Sequence, residues 1–169
     1  QRFFFDADDG IHGRELWVSD GTSIGTTILG DMESGDAIDW NSEITTWMNG
    51  VVFTTNGQQG DRMWWSNGSV TTSIWQAPWF SASASSDLIN QSAAITSIGQ
   101  GLLHGDASGL WFAAKETQIG LEMMYLDNNG TLHMFDLQPF GDSSPLRGVS
   151  VDGGYVVVAS DGTGRQLAK

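Results

Sequence analysis

The 169-residue sequence contains no cysteine, which excludes a disulfide framework, a thiolate metal site and a cysteine nucleophile. The same absence leaves the compartment open, because many exported microbial proteins do without disulfides. Proline is scarce, at three residues against 22 glycines; together with 40% apolar residues, eight Trp and eight Phe, this points to a folded β-protein rich in turns rather than a disordered chain. Basic side chains number seven against twenty acidic ones, and the formal charge of −13 repels phosphate backbones and anionic lipid at long range. Nucleic acid is therefore a poor partner. No run approaches the ~20 apolar residues of a membrane span, so no membrane insertion is expected in this segment. Gln1-Arg2-Phe3-Phe4-Phe5 also lacks the apolar core of a signal peptide. The length suits a single domain over residues 1–169.

What is present is internal repetition. Gly13-Arg14-Glu15-Leu16-Trp17 aligns with Gly60-Asp61-Arg62-Met63-Trp64, Gly120-Leu121-Glu122-Met123-Met124 and Gly164-Arg165-Gln166-Leu167-Ala168. The anchor glycines are 47, 60 and 44 residues apart, in or near the period of propeller blades and solenoids. A β-branched or aromatic run precedes each anchor: Phe3-Phe4-Phe5, Val51-Val52-Phe53, Leu110-Trp111-Phe112 and Tyr155-Val156-Val157-Val158. After the anchors come the turn residues Asp20-Gly21, Asn67-Gly68 and Asn128-Asn129-Gly130, each followed by a further strand. Ile44 to Met48, Ile95 to Ile98 and Arg147 to Val151 supply leading strands that run into glycine turns. The units span about 1–40, 41–90, 91–142 and 143–169, with three, four, four and three strands.

The first copy, with Glu15-Leu16-Trp17, Asp20-Gly21-Thr22 and the trailing Gly25-Thr26, resembles the ELWxxDGT repeat found in tandem arrays of large extracellular and surface proteins of microbes. The later copies drift to Arg62-Met63-Trp64, Glu122-Met123-Met124 and Gln166-Leu167-Ala168. The resemblance implies an extracellular or cell-surface location and says little about activity. The expected fold is all-β, a propeller-like array of four-stranded antiparallel blades. Fourteen strands are not a whole number of such blades, so the reading is of an incomplete propeller or a stretch of a longer chain.

Candidate sites are few. Asp6, Asp8 and Asp9, followed by Glu15, set alternate carboxylates on a tight turn in the manner of a calcium loop. The corresponding turns, Thr55-Asn56-Gly57-Gln58 and Lys115-Glu116-Thr117-Gln118, show that the hairpin also folds on other residues. Calcium is the one cofactor this pattern suggests. Trp79 and Phe80 lead into the small polar stretch Ser81 to Ser86, which has no counterpart in the first unit, and their rings are candidate contacts for a sugar or a protein. Trp17, Trp64 and Trp111 recur at strand positions, where packing between blades is the ordinary use of a large flat side chain. Asn67, Asn90 and Asn129 head glycosylation sequons, two of them at the turn after an anchor strand, where Asn-Gly is also favoured for turn geometry alone. His12, His104 and His133 fall at unrelated places in the repeat, and no nucleophile elbow is present, so no catalytic residue is assigned.

The functional expectation is a non-catalytic binding or adhesion module recognising a glycan or protein partner. Two alternatives stand beside it: a structural subunit of a surface layer, sheath or filament joined through exposed β-edges, and a polysaccharide-acting propeller hydrolase with a pair of carboxylates.

Overall fold

The computed structural model describes residues 1–38, 42–57, 60–76, 95–116, 118–139, 141–152 and 154–168. Among these, fourteen strands form four antiparallel sheets, and no helix occurs. The first sheet contains β1 (Phe3–Asp8), β2 (Arg14–Ser19) and β3 (Thr27–Ile28); the second contains β4 (Ile44–Trp47), β5 (Gly50–Gly57), β6 (Gly60–Ser66) and β7 (Thr71–Gln76). The third contains β8 (Ile95–Gly105), β9 (Gly109–Glu116), β10 (Gly120–Asp127) and β11 (Leu132–Phe135), and the fourth β12 (Arg147–Val151), β13 (Gly154–Ser160) and β14 (Arg165–Ala168). Each sheet is a meander of sequential neighbours, as the repeat predicts. The division into three, four, four and three strands matches the expected one.

Side chains alternate across a strand, and here that alternation joins successive sheets face to face. Leu16, Val51 and Phe53 lie between the first and second sheets; Val52, Met63, Phe112 and Met124 between the second and third; Ala113, Met123, Tyr155 and Val157 between the third and fourth. The Leu-Trp step of the motif is thereby explained. Leu16, Met63 and Met123 each face the following sheet, while Trp64, Met124 and Ala168 each face the preceding one. Interior sheets are apolar on both faces because both are covered, and the drift from Trp to Met or Ala preserves that property.

The anchor glutamate has a separate task. Glu15 and Glu122 are fully buried and accept hydrogen bonds from the crossover that leaves their own sheet for the next. Glu122 Oε2 takes the Leu137 N–H at 2.9 Å and Oε1 the Ser143 N–H at 2.9 Å; Glu15 Oε2 takes the Met32 N–H at 3.4 Å. The crossover binds back through an aspartate: Asp36 Oδ1 accepts the Arg14 N–H and Asp142 Oδ1 the Leu121 N–H, both at 2.8 Å. Backbone bonds from Ile38 to Arg14 and from Ser144 to Leu121 complete the same pattern in both copies. The anchor glycine is needed on two counts, since Gly13 and Gly120 have φ of 82° and 90° and a Cβ at either would run into Gly35 or Gly141 of the crossover.

One turn departs from expectation. The β4–β5 hairpin turns on Met48 and Asn49, both at positive φ in a two-residue loop, rather than on Gly50. Gly50 is required instead because a side chain there would overlap the Ser66 carbonyl of β6.

Removal of the clamp should destabilise the array without changing its topology. Glu122→Ala leaves the Leu137 and Ser143 N–H groups without their acceptor and is expected to cost about 2–4 kcal/mol in urea unfolding, while Glu122→Gln, which keeps one acceptor oxygen, costs less than half of that.

Candidate functional site

A cleft of about 400 Å³ opens where the leading strands β4, β8 and β12 come together, lined by residues including Glu43, Gly101, Leu102, His104, Gly148 and Tyr155. Its floor depends on an irregularity in β8. The sequence reading ends that strand at Ile98 in a glycine turn; the strand instead runs on to Gly105, with a register shift between Ile98 and Leu103. Gly101, at φ 96°, belongs to that irregular stretch, and its N–H donates to Glu43 Oε1 at 2.5 Å. Gly105 then passes so close to β4 that a Cβ would meet the Thr46 carbonyl, and its N–H donates to Thr45 Oγ1 at 3.1 Å.

On the far wall, His104 Nε2 and the Ser150 hydroxyl are 3.0 Å apart, and Ser150 Oγ donates to Asp106 Oδ2 at 2.5 Å. Serine sits between imidazole and carboxylate here, whereas nucleophilic catalysis needs the imidazole in the middle. Asp106 also accepts the Ser108 hydroxyl and the Ser108 and Gly109 N–H groups. Burial pushes its carboxyl up, but the hydrogen bonds from Ser108, Ser150 and Gly109 outweigh that and hold it at about 2. The trio is a tie between β8 and β12.

Tyr155 is the unusual member. Only 2% exposed, it stacks on Trp111 with ring centroids 4.9 Å apart and 11° between planes, lies 5.3 Å from His104, and is given room by Gly148, where a Cβ would overlap its ring. Trp111 stacks in turn on Tyr125 at 4.2 Å. The Tyr155 hydroxyl is buried with no hydrogen-bond partner among the described residues. Burial, aided by the charges of Asp106 and Glu43, pushes its pKa up to about 12, so it remains a neutral phenol able both to donate and to accept. Burial likewise raises Glu43.

The residues singled out by sequence fall elsewhere. Asp6 pairs with Arg14; Asp8 Oδ1 accepts the Gly10 N–H at 2.7 Å; Asp9 accepts the Ile11 and His12 N–H groups at 2.9 Å and faces His12 Nδ1 at 2.7 Å. Glu15 shares its sheet face with Ala7 and Trp17, opposite the face carrying Asp6 and Asp8, so the four carboxylates do not converge on one point. Among the described residues no cluster of three or more His, Asp or Glu is placed to hold a metal. Asn129 is exposed at the β10–β11 turn, while Asn67 is half-buried, its side-chain oxygen accepting the Ser69 and Val70 N–H groups at 2.9 and 3.0 Å. Trp79, Phe80 and Asn90 lie outside the described residues.

Comparison with protein-family models, characterised proteins and solved structures finds no match. The likeness to the ELWxxDGT repeat thus rests on the motif residues themselves.

The buried carboxylates give a pH signature. The Glu15 carboxyl is pushed by burial from 4.5 to about 7, so folding takes up a proton there and stability is gained as pH falls through 7 towards 4.5. Glu122 is raised by burial in the same sense, and His12, raised by the hydrogen bond it donates to Asp9, contributes stability that is lost as pH rises through its folded value. Asp9, held at about 2 by the His12 backbone and side chain, acts oppositely only as pH falls below 3.8. The melting temperature should therefore be higher at pH 5.5 than at pH 8, and Glu15→Gln should flatten that difference.

Proposed function

We propose that the chain is a non-catalytic binding module of the cell surface or extracellular space, and that the cleft among β4, β8 and β12 receives a neutral glycan. The observation that carries this reading is the Tyr155 hydroxyl, buried beside the cleft without a partner among the described residues. An unsatisfied buried hydroxyl costs about 1–3 kcal/mol, and a ligand hydroxyl in the cleft would relieve it.

The surroundings favour a neutral polyol over an anion. Glu43 offers acceptor oxygens and Arg147, which also lines the cleft, offers donors, so the local charge is balanced, and the whole chain carries a formal charge of −13 that repels an anion at long range. Leu102, Leu103 and Ile44 provide apolar contact for the C–H face of a sugar ring, and a cleft of about 400 Å³ is of the size that accepts a mono- or disaccharide. Hydrolysis of the glycan is disfavoured on the same residues. Glu43 is the one carboxylate lining the cleft among the described residues, and Asp106, hydrogen-bonded through Ser150 to the His104 side, is already committed to Ser108, Gly109 and Ser150.

A glycan array followed by calorimetry on the retained sugar provides the test. Tyr155→Phe is expected to weaken binding about tenfold, equivalent to ~1.4 kcal/mol, while leaving the melting temperature unchanged or slightly higher because an unpaired buried hydroxyl is removed. Equal affinity in the variant, or no retained neutral glycan, would overturn the reading; released reducing sugar would overturn its non-catalytic half.

A further inference from the structure

The hydrogen-bond chain on the cleft wall fixes which nitrogen of His104 carries a proton. Asp106, whose carboxyl is held at about 2, has no hydrogen to give, and it takes four donors: the Ser108 hydroxyl, the Ser108 and Gly109 N–H groups and the Ser150 hydroxyl. The last of these contacts, at 2.5 Å, uses the single hydrogen that the Ser150 hydroxyl has. Ser150 Oγ can then meet His104 Nε2, 3.0 Å away, only as an acceptor, so Nε2 is the protonated nitrogen. In the neutral ring Nδ1 is therefore bare.

That bare nitrogen is open to a ligand. The two nitrogens point to different sides of an imidazole ring, so with Nε2 turned to Ser150, Nδ1 is turned away from it. Nδ1 has no hydrogen-bond partner among the described residues, yet it is not sealed from solvent, unlike the Tyr155 oxygen and the Nε1 of Trp111, the residue paired with His104 across the strands. His104 lines the cleft together with Glu43, Arg147 and Tyr155, and Asp106 stands behind it through Ser150. Arg147 and the neutral Tyr155 phenol have hydrogens to offer; His104 Nδ1 offers a lone pair alone. An anionic oxygen placed there would set lone pair against lone pair, whereas a hydroxyl has a hydrogen to give.

We infer that His104 determines the specificity of the cleft: locked by Ser150 and Asp106 as the Nε2–H tautomer, it presents Nδ1 as an acceptor that a hydroxyl of the ligand must meet as donor. The inference rests on the reading of the cleft as a site for a neutral glycan and names the group that the glycan supplies. Ser150 and Asp106 are positioning residues, acting through His104.

Two measurements on the intact chain test this, the first without any ligand. Side-chain nitrogen NMR, followed up the pH range to the plateau of the neutral ring, is expected to show His104 Nε2 protonated and Nδ1 bare. Ser150→Ala should give a mixture of tautomers, and Ser150→Thr, which keeps the hydroxyl, should restore the single one; a serine that served packing alone would leave the tautomer unmoved in both. The second measurement is calorimetry with the methyl glycosides of glucose, galactose and mannose, and with monodeoxyfluoro derivatives of the one that binds, in which fluorine keeps the size of a hydroxyl and removes its hydrogen. One fluorine position is expected to cost about tenfold in affinity in the wild-type chain and to cost nothing further in His104→Ala. A protonated Nδ1 in the neutral ring, or a tautomer unmoved by Ser150→Ala, overturns the inference whatever binds. So does a sugar whose every hydroxyl can be fluorinated without loss, or a fluorine cost that persists in full in His104→Ala. Failure of all three glycosides to bind a chain with the expected tautomer overturns the glycan reading itself, and the ligand half of the inference with it.

Discussion

The arrangement depends on a buried carboxylate that holds the chain as it passes from one sheet to the next. A meander of antiparallel strands satisfies its own backbone, but a crossover has no strand to pair with, and its N–H groups must find acceptors elsewhere. Glu15 and Glu122 supply them from the start of the strand that the crossover passes, Gly13 and Gly120 supply the space, and Asp36 and Asp142 close the loop from the other side. Placing a carboxyl group at full burial is costly, which is why burial pushes both glutamates upward in pKa; hydrogen bonds to both oxygens offset that cost at Glu122, and only in part at Glu15, whose Oε1 has no partner among the described residues. The second unit reverses the polarity. Arg62 stands in the glutamate's place and, 3.4 Å from Glu33, reaches back to the preceding crossover.

Once each crossover is fixed, strand alternation does the rest. Adjacent residues of the motif point to opposite neighbours, so the core is divided into three layers, each shared by two consecutive sheets. Stability in such an array is close to a sum of sheet and junction contributions. A sheet in this scheme cannot be apolar on one face only, because its sequence serves two junctions. The outer faces of the first and fourth sheets keep that character, with Phe3, Val149 and Leu167 exposed among the described residues.

Most of the strand layout was legible in the sequence, because β-branched and aromatic runs between Gly, Asn and Asp turns carry a strong period-two signal and the repeat supplies it several times over. The clamp was not legible. Its halves lie 22 residues apart in the first unit and 21 in the third, and Gly35-Asp36 and Gly141-Asp142 look like ordinary turn residues until the path of the crossover is known. Aligning the units further past the anchor would have exposed their shared spacing. The same blindness made Glu15 look like a member of an acidic calcium loop: three acids in a turn and a fourth nearby suggest convergence, but a strand sends alternate side chains to opposite faces. The cleft was missed for a related reason. Gly99 and Gly101 read as a turn, whereas the strand passes through them as an irregular stretch and pairs with β9 on either side, at Ile98 and again at Leu103.

The cleft and the repeat place opposite demands on the same residues. Repeat positions tolerate any apolar side chain of suitable bulk, as the change from Trp64 to Met124 and Ala168 shows. The leading strands meet from different sheets, and there Glu43 accepts the Gly101 N–H while His104 meets the Ser150 hydroxyl and the Tyr155 ring. Strand β13 serves both regimes at once: Tyr155 faces the cleft and the third sheet, while the next residue, Val156, faces the open end.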